Sequence, residues 1–146
     1  MPLDRQRMLE SARSREKAFD GRTLLLVDDD VRNIFALTSA LEQKGAKVEI
    51  ARNGLEALEK LDNSDTIDLV LMDIMMPMMD GYEAMREIRK RPHMKKLPII
   101  AITAKAMKDD QERCLAAGAS DYLAKPIDLD RLFSLIRVWM PSLERL

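Results

Sequence analysis

Five short strand-like segments, three of them almost wholly apolar, alternate along the chain with stretches that read as helices. Thr23–Val27 (TLLLV) is continuously apolar and stops at acids, the pattern of a strand buried on both faces. Val31–Lys44 follows, with Ile34, Leu37, Thr38 and Leu41 at helical spacing and Gly45 just past its end. Lys47–Ala51 (KVEIA) alternates as a short strand. Asn53 and Gly54 then turn the chain, and Leu55, Leu58 and Leu61 mark a second helix. Ile67–Met72 (IDLVLM) is a third strand ending at Asp73. After a Met/Pro loop, Asp80 is placed to cap a helix over Gly81–Lys90, with Met85 and Ile88 inward. Pro98–Ile102 (PIIAI) is a fourth strand ending at Thr103. Lys108–Ala117 is a fourth helix closed by Gly118, and Ser120–Ala124 (SDYLA) is a fifth strand. Asp128 caps a last helix with Leu129, Leu132, Phe133, Ile136 and Met140 on one face, and Pro141 lies where it ends.

Alternating strands and helices over about 120 residues imply a parallel α/β sheet covered by helices on both faces. The whole chain of 146 residues fits one such domain, here 22–141, with a polar lead-in at 1–21 and a short tail at 142–146. The lead-in has Leu3, Met8, Leu9, Ala12 and Phe19 as scattered apolar positions.

Composition narrows the function classes. An apolar fraction of 47% supports a packed core, and 24 basic against 25 acidic residues leave a net charge of −1. That balance gives no reason to expect non-specific binding to nucleic acid or a membrane surface. No apolar run approaches the ~18 residues of a membrane span. The charged N-terminus has no apolar core of a signal peptide. The single cysteine, Cys114, rules out an internal disulfide and reads as a structural thiol on a helix face. The expected location is the cytoplasm.

In doubly wound sheets the site lies beyond the carboxyl ends of the strands. Those ends carry Asp28, Asp29 and Asp30, then Asp73, then Thr103, then Lys125 and Pro126. Several carboxylates at one edge repel unless a cation neutralises them. Oxygen donors without His or Cys suit Mg²⁺. A carboxylate beside such an ion can attack a phosphoryl group and form an acyl phosphate, while a lysine ammonium and a threonine hydroxyl hold the phosphoryl oxygens. Asp30 reads as a helix cap, and Pro77 and Gly81 as loop-shaping residues. Met72, Met75, Met76, Met78 and Met79 read as gap-filling or partner contacts rather than soft-metal ligands. His93, after Pro92 in a loop, has nothing around it that resembles a phosphodonor helix.

VDDD at 27–30, LMDIMMPMMDG at 71–81, AITA at 101–104 and YLAKPID at 122–128 resemble, in order and in spacing, the signatures of response-regulator receiver domains. The resemblance covers about residues 22–140. It implies the flavodoxin-like (βα)5 fold with strand order 2-1-3-4-5 and a phosphoacceptor role for Asp73. Asp28, Asp29, Asp73 and the backbone carbonyl of Met75 would be the Mg²⁺ ligands. Thr103, Lys125 and the backbone of Ala104 would bind phosphate, Tyr122 would be the switch aromatic, and the Lys125–Pro126 bond would be cis. The phosphodonor would be a histidine kinase or a histidine phosphotransfer domain. The face formed by residues 108–117, 120–124 and 128–140 would change on phosphorylation and could receive a second copy. Leu135 and Val138 lie off the main stripe of the last helix, with Trp139 on its flank. The wording of DDDVRNIFAL and MDIMMPMMDGYEAM resembles the receivers of hybrid histidine kinases more than free-standing chemotaxis regulators. A receiver is not an enzyme, although it assists its own phosphorylation and dephosphorylation.

Two other classes fit less well. Aspartyl phosphatases and mutases carry a second acid two residues after the nucleophile, and that position here is Met75. A flavodoxin-like cofactor binder would follow its first strand with a Ser/Thr/Gly-rich phosphate loop, and three aspartates stand there instead.

Overall fold

The computed structural model describes residues 18–76, 79–104 and 107–140. Expectations for residues 1–17, Pro77, Met78, Pro141 and the tail 142–146 lie outside the described residues.

Five parallel strands, β1 (Thr23–Val27), β2 (Lys47–Ala51), β3 (Leu69–Asp73), β4 (Ile99–Thr103) and β5 (Asp121–Ala124), form one sheet in the order β2-β1-β3-β4-β5. This is the expected flavodoxin-like topology. All five residues of β3 and of β4 are buried, which is why those runs read as unbroken apolar sequence. The outer strands β2 and β5 are only partly covered, so polar residues appear in them.

Strand parity divides the core into two layers. Leu24, Leu26, Leu69, Leu71, Ile100 and Ile102 face the helices α1 (Val31–Gln43) and α5 (Leu129–Trp139), meeting Leu37, Leu41, Leu132 and Ile136. Leu25, Val27, Val70, Met72, Ile99 and Ala101 face α2 (Gly54–Asp62), α3 (Gly81–Arg89) and α4 (Lys108–Ala117), meeting Leu58, Leu61, Met85 and Ile88. Cys114 is a buried free thiol in that second layer, as expected.

Helix starts follow side-chain caps. Asp30, Asp80 and Asp128 accept the backbone N–H of Arg32, Glu83 and Asp130 at 2.9, 2.9 and 3.0 Å. Asn53, expected to turn the chain, is also a cap: its Oδ1 accepts Glu56 N–H at 2.9 Å, and α2 starts at Gly54 itself. Two first-turn leucines, Leu55 and Leu129, are exposed because they precede the packing stripe of their helices. The third strand begins at Leu69 rather than Ile67. Asp68 Oδ2 accepts the N–H of Thr23 at 2.9 Å, so that residue ties the start of β1 instead of extending β3. The loop containing His93 forms a 3₁₀ turn, Pro92–Met94.

Arg89 fastens this side of the fold. Its Nε donates to Gly118 O at 2.9 Å and its Nη1 to Met94 O at 2.8 Å, holding the end of α4 against the 3₁₀ turn. Gly118 stops α4 at φ +120°, a conformation that L side chains rarely adopt.

Candidate functional site

The sheet register gathers the chemistry. Val27 pairs with Met72, so Asp28 and Asp73 come next to each other at the carboxyl ends of β1 and β3. Asp73 pairs with Ile102, and Thr103 with Ala124, which sets Thr103 and then Lys125 along the same edge. Asp28, Asp73 and Thr103 are the buried polar side chains of the described residues. Burying them costs free energy unless each has a partner.

The acid loop is held from several sides. Asp28 N–H donates to Ala51 O at 3.0 Å, and Asp28 Oδ1 accepts Asp30 N–H at 2.9 Å. Arg52 Nη2 donates to Asp29 O at 3.2 Å. Asp73 Oδ1 accepts Met75 N–H at 3.2 Å and the Lys125 ammonium at 3.4 Å. The Lys125–Pro126 bond is cis, as the resemblance implies.

One oxygen from each of Asp28, Asp29 and Asp73 lies within 4.8 Å of the others. The second carboxylate oxygen of Asp28, Oδ2, is buried and accepts no hydrogen bond. An orphaned buried carboxylate oxygen beside two further acids fits a hard divalent cation, since such ions take oxygen donors. No histidine or cysteine enters this group, so soft-metal chemistry has no ligands here.

Burial and the charge of Asp28 push the Asp73 carboxyl up from its usual 3.8 to about 6, against the opposing pull of Lys125 and the Met75 N–H. A carboxylate held in this way is costly to ionise alone and gains when positive charge arrives.

A close approach of chain to chain shapes the loop after Asp73. Gly81 N–H donates to Ile74 O at 3.0 Å. A Cβ on Gly81 would lie 2.5 Å from Asp73 O, so α3 can start this near the site only from a residue without a side chain. Met75, whose N–H reaches Asp73, is exposed on the site's rim, and Ala104 is exposed at the end of β4. Tyr122 is half-buried, packed against the layer of α2, α3 and α4.

All the expected site residues therefore fall at one edge of the sheet, except Tyr122, which lies inside β5 two residues before its end. Sequence reasoning misses Arg52. The carboxyl-end rule that selects the residues after β1, β3, β4 and β5 applies equally to β2, and Arg52 is the residue that follows it.

A doubly wound sheet with three acids and a lysine at its carboxyl edge is the architecture of a signalling phosphoacceptor. The family model for the response regulator receiver domain matches residues 24–137, and the chain belongs to that family, the receiver domains of two-component signalling. The signal transduction histidine-protein kinase BarA of Escherichia coli is 42% identical over 120 residues, which are 82% of this chain and 13% of that kinase. The sensor histidine kinase GacS of Pseudomonas protegens is 40% identical over 119 residues, 80% of this chain and 13% of that kinase. The chain thus spans a small fraction of the length of these curated relatives. Among solved structures, the receiver domain of a Pseudomonas aeruginosa sensor histidine kinase has a TM-score of 0.77 and 38% identity, covering 84% of this chain and 99% of that one. It was solved with a magnesium ion coordinated in its active site cleft. The receiver domain of a Saccharomyces cerevisiae response regulator has a TM-score of 0.76 and 31% identity, covering 84% and 90% of the two chains. It was crystallised with a histidine phosphotransfer signalling protein. Among the described residues, no helix is long and apolar enough to cross a membrane.

Proposed function

We propose that Asp73 is the phosphoacceptor of a phosphorelay, taking its phosphoryl group from a phosphohistidine on a histidine kinase or histidine phosphotransfer domain. The observation that carries this reading is the convergence of Asp28, Asp29 and Asp73 oxygens within 4.8 Å, with Lys125 Nζ on Asp73 at 3.4 Å. In the transfer, a carboxylate oxygen of Asp73 bonds to phosphorus as the phosphorus–nitrogen bond breaks. The electron pair returns to the donor imidazole, which takes up a proton from solvent. Lys125 favours the ionised Asp73 that can attack, and is placed to meet the phosphoryl oxygens once they arrive. Thr103 and the backbone N–H of Ala104 supply further donors at the next strand end. Asp28, Asp29, Asp73 and the Met75 carbonyl would hold Mg²⁺. When bound, that ion offsets the three acids and draws charge from the phosphoryl oxygens. Later attack of water on the acyl phosphate returns Asp73 and inorganic phosphate, so the domain assists its own resetting without turning over a substrate of its own.

We further propose that this receiver belongs to a hybrid sensor histidine kinase and works in the cytoplasm. The kinase relatives and the wording around Asp29 and Asp73 support that reading. Signal output is assigned to the α4-β5-α5 face, where Gln111, Tyr122, Ala124, Pro126 and Arg131 line a groove and Val138 and Trp139 are exposed. A second copy of the domain could pair there; contacts with nucleic acid or membrane are not part of the assignment.

The test is transfer from a protein donor. A phosphotransfer domain labelled on its histidine, mixed with this chain and Mg²⁺, should pass label to the wild type. It should keep the label in the presence of Asp73→Asn. Equal transfer to both proteins would place the acceptor elsewhere.

A further inference from the structure

We propose that the crevice between the C-terminal end of α1 and the middle of α5 is a docking seat for residues 19–22, which run into β1. Phe19 is its anchor, and residues 19–22 and α5 move as one unit. This inference goes beyond the assignment of Asp73 and does not depend on it.

Phe19 stands in a polar stretch between Lys17 and Arg22, yet it is 1% exposed. An aromatic in a passing linker would normally stay in water or pack loosely. This one belongs to the same apolar cluster as Leu24, Leu41, Leu132 and Ile136. Its ring meets Phe133 of α5 with centroids 5.9 Å apart and planes tilted by 59°, a favoured aromatic arrangement. The Lys44 ammonium, at the C-cap of α1, lies 5.2 Å from the centroid of the Phe133 ring and contributes to the same seat.

The backbone is fixed as well. Phe19 N–H donates to Lys44 O at 2.9 Å, Arg22 N–H returns to Phe19 O at 3.0 Å, and Lys47 N–H donates to Arg22 O at 2.8 Å. The segment therefore passes by hydrogen bonds from the end of α1 to the start of β2. Gly45, at φ +92°, lets it come close: a Cβ there would lie 3.0 Å from Asp20 Cα. A side chain, a turn and a close backbone approach thus all tie residues 19–22 to the floor of the domain.

The other side of the seat explains why the anchor carries information. Phe133 shares its cluster with Leu123 of β5, which leads into Lys125, and Ile102 of β4, which ends at Thr103. Any shift of α5 against the sheet alters the pocket that Phe19 fills, and a pull on residues 19–22 is felt by α5. By linkage the coupling must run in both directions.

Amide hydrogen exchange on the whole chain tests this. In Phe19→Ala, protection over residues 129–139 and 41–47 should fall by about tenfold or more relative to α2 and α3. Phe19→Leu, which refills much of the space, should fall between. Ile88→Ala removes apolar volume from the opposite layer and should loosen α3 without singling out α5. In the reverse direction, Ile136→Ala should raise exchange over residues 19–22. Unchanged protection of 129–139 in Phe19→Ala, or equal loosening of α5 by Phe19→Ala and Ile88→Ala, would overturn the proposal.

Discussion

Asp28 and Asp73 stand side by side at the ends of adjacent parallel strands, both sealed from solvent, and the charge on Asp28 makes Asp73 harder to ionise. The fold holds this repulsion in place through backbone ties. Asp28 is fixed by Ala51 and Asp30, and Asp73 by the strand that carries it. Such a pair is a poor way to stabilise a protein and a good way to prepare a cation and phosphoryl site.

The first consequence is a pH-dependent stability. The folded carboxyl of Asp73 titrates near 6 against 3.8 as an ordinary carboxylate, so folding favours its protonated form. The stability it contributes is fully present below pH ~3.8 and is lost as pH rises through ~6. Asp73→Asn mimics the protonated group. With a chelator present, it should be more stable than wild type by roughly 2–3 kcal/mol at pH 8, and the gain should vanish near pH ~3.5. Denaturant titrations at the two pH values measure this. A variant no more stable than wild type at pH 8 would contradict it.

Metal linkage should show in the same stability. Millimolar Mg²⁺ should raise the melting temperature of wild type by binding the native acids. Asp29→Ala should not melt below wild type in chelator, because it removes like charge, and it should lose most of the Mg²⁺-induced rise. Scanning calorimetry with and without Mg²⁺ decides the point. A full rise in Asp29→Ala would remove that residue from the ligand set.

Two glycines beside the site should respond differently to alanine. At Gly81 a Cβ meets Asp73 O at 2.5 Å and Ile74 Cα at 2.7 Å, both backbone, so the loop or the helix must move. At Gly54 it meets the Met79 side chain at 2.8 Å, which can turn aside. Gly81→Ala should cost about 2 kcal/mol or more and weaken Mg²⁺ binding, while Gly54→Ala should cost under about 1 kcal/mol. Similar losses for both would mean that the loop after Asp73 yields easily.

Thr103 should carry the response outward. It is buried at the end of β4, with the half-buried Tyr122 on the neighbouring strand. Thr103→Ala should still accept phosphate, more slowly, and lose most of the exchange change over residues 108–140 that wild type shows on activation. Changes in wild type confined to the loop after Asp73 would move the switch to that loop, with its methionines.

Most of the sheet can be read from sequence because β1, β3 and β4 are buried on both faces and their apolar runs stop at polar residues. The acid caps Asp30, Asp80 and Asp128 mark helix starts for an equally local reason. The gaps have a physical pattern. Asp68 looks like part of a strand because alternation cannot show that its carboxylate reaches back to Thr23. Asn53 looks like a turn because a cap and a turn use the same residues. Phe19 looks like one scattered apolar residue, since its partner Phe133 lies near the other end of the chain and no short-range period connects them. Arg89 gives no sequence signal at all: its partners, backbone carbonyls and the Ser120 hydroxyl, are brought close only by the finished fold. The candidate site is legible where Asp28, Asp73, Thr103 and Lys125 directly follow or end a strand, since there topology rather than packing detail sets the position.

Locating the phosphate decides whether Asp73 is the acceptor. The chain is incubated with acetyl phosphate and Mg²⁺ and the modified residue is mapped by mass spectrometry at low pH, where an acyl phosphate survives. One acid-stable, base-labile phosphate is expected on Asp73, absent when Mg²⁺ is chelated and absent in Asp73→Asn. A phosphate on another residue, or undiminished labelling of Asp73→Asn, would contradict it.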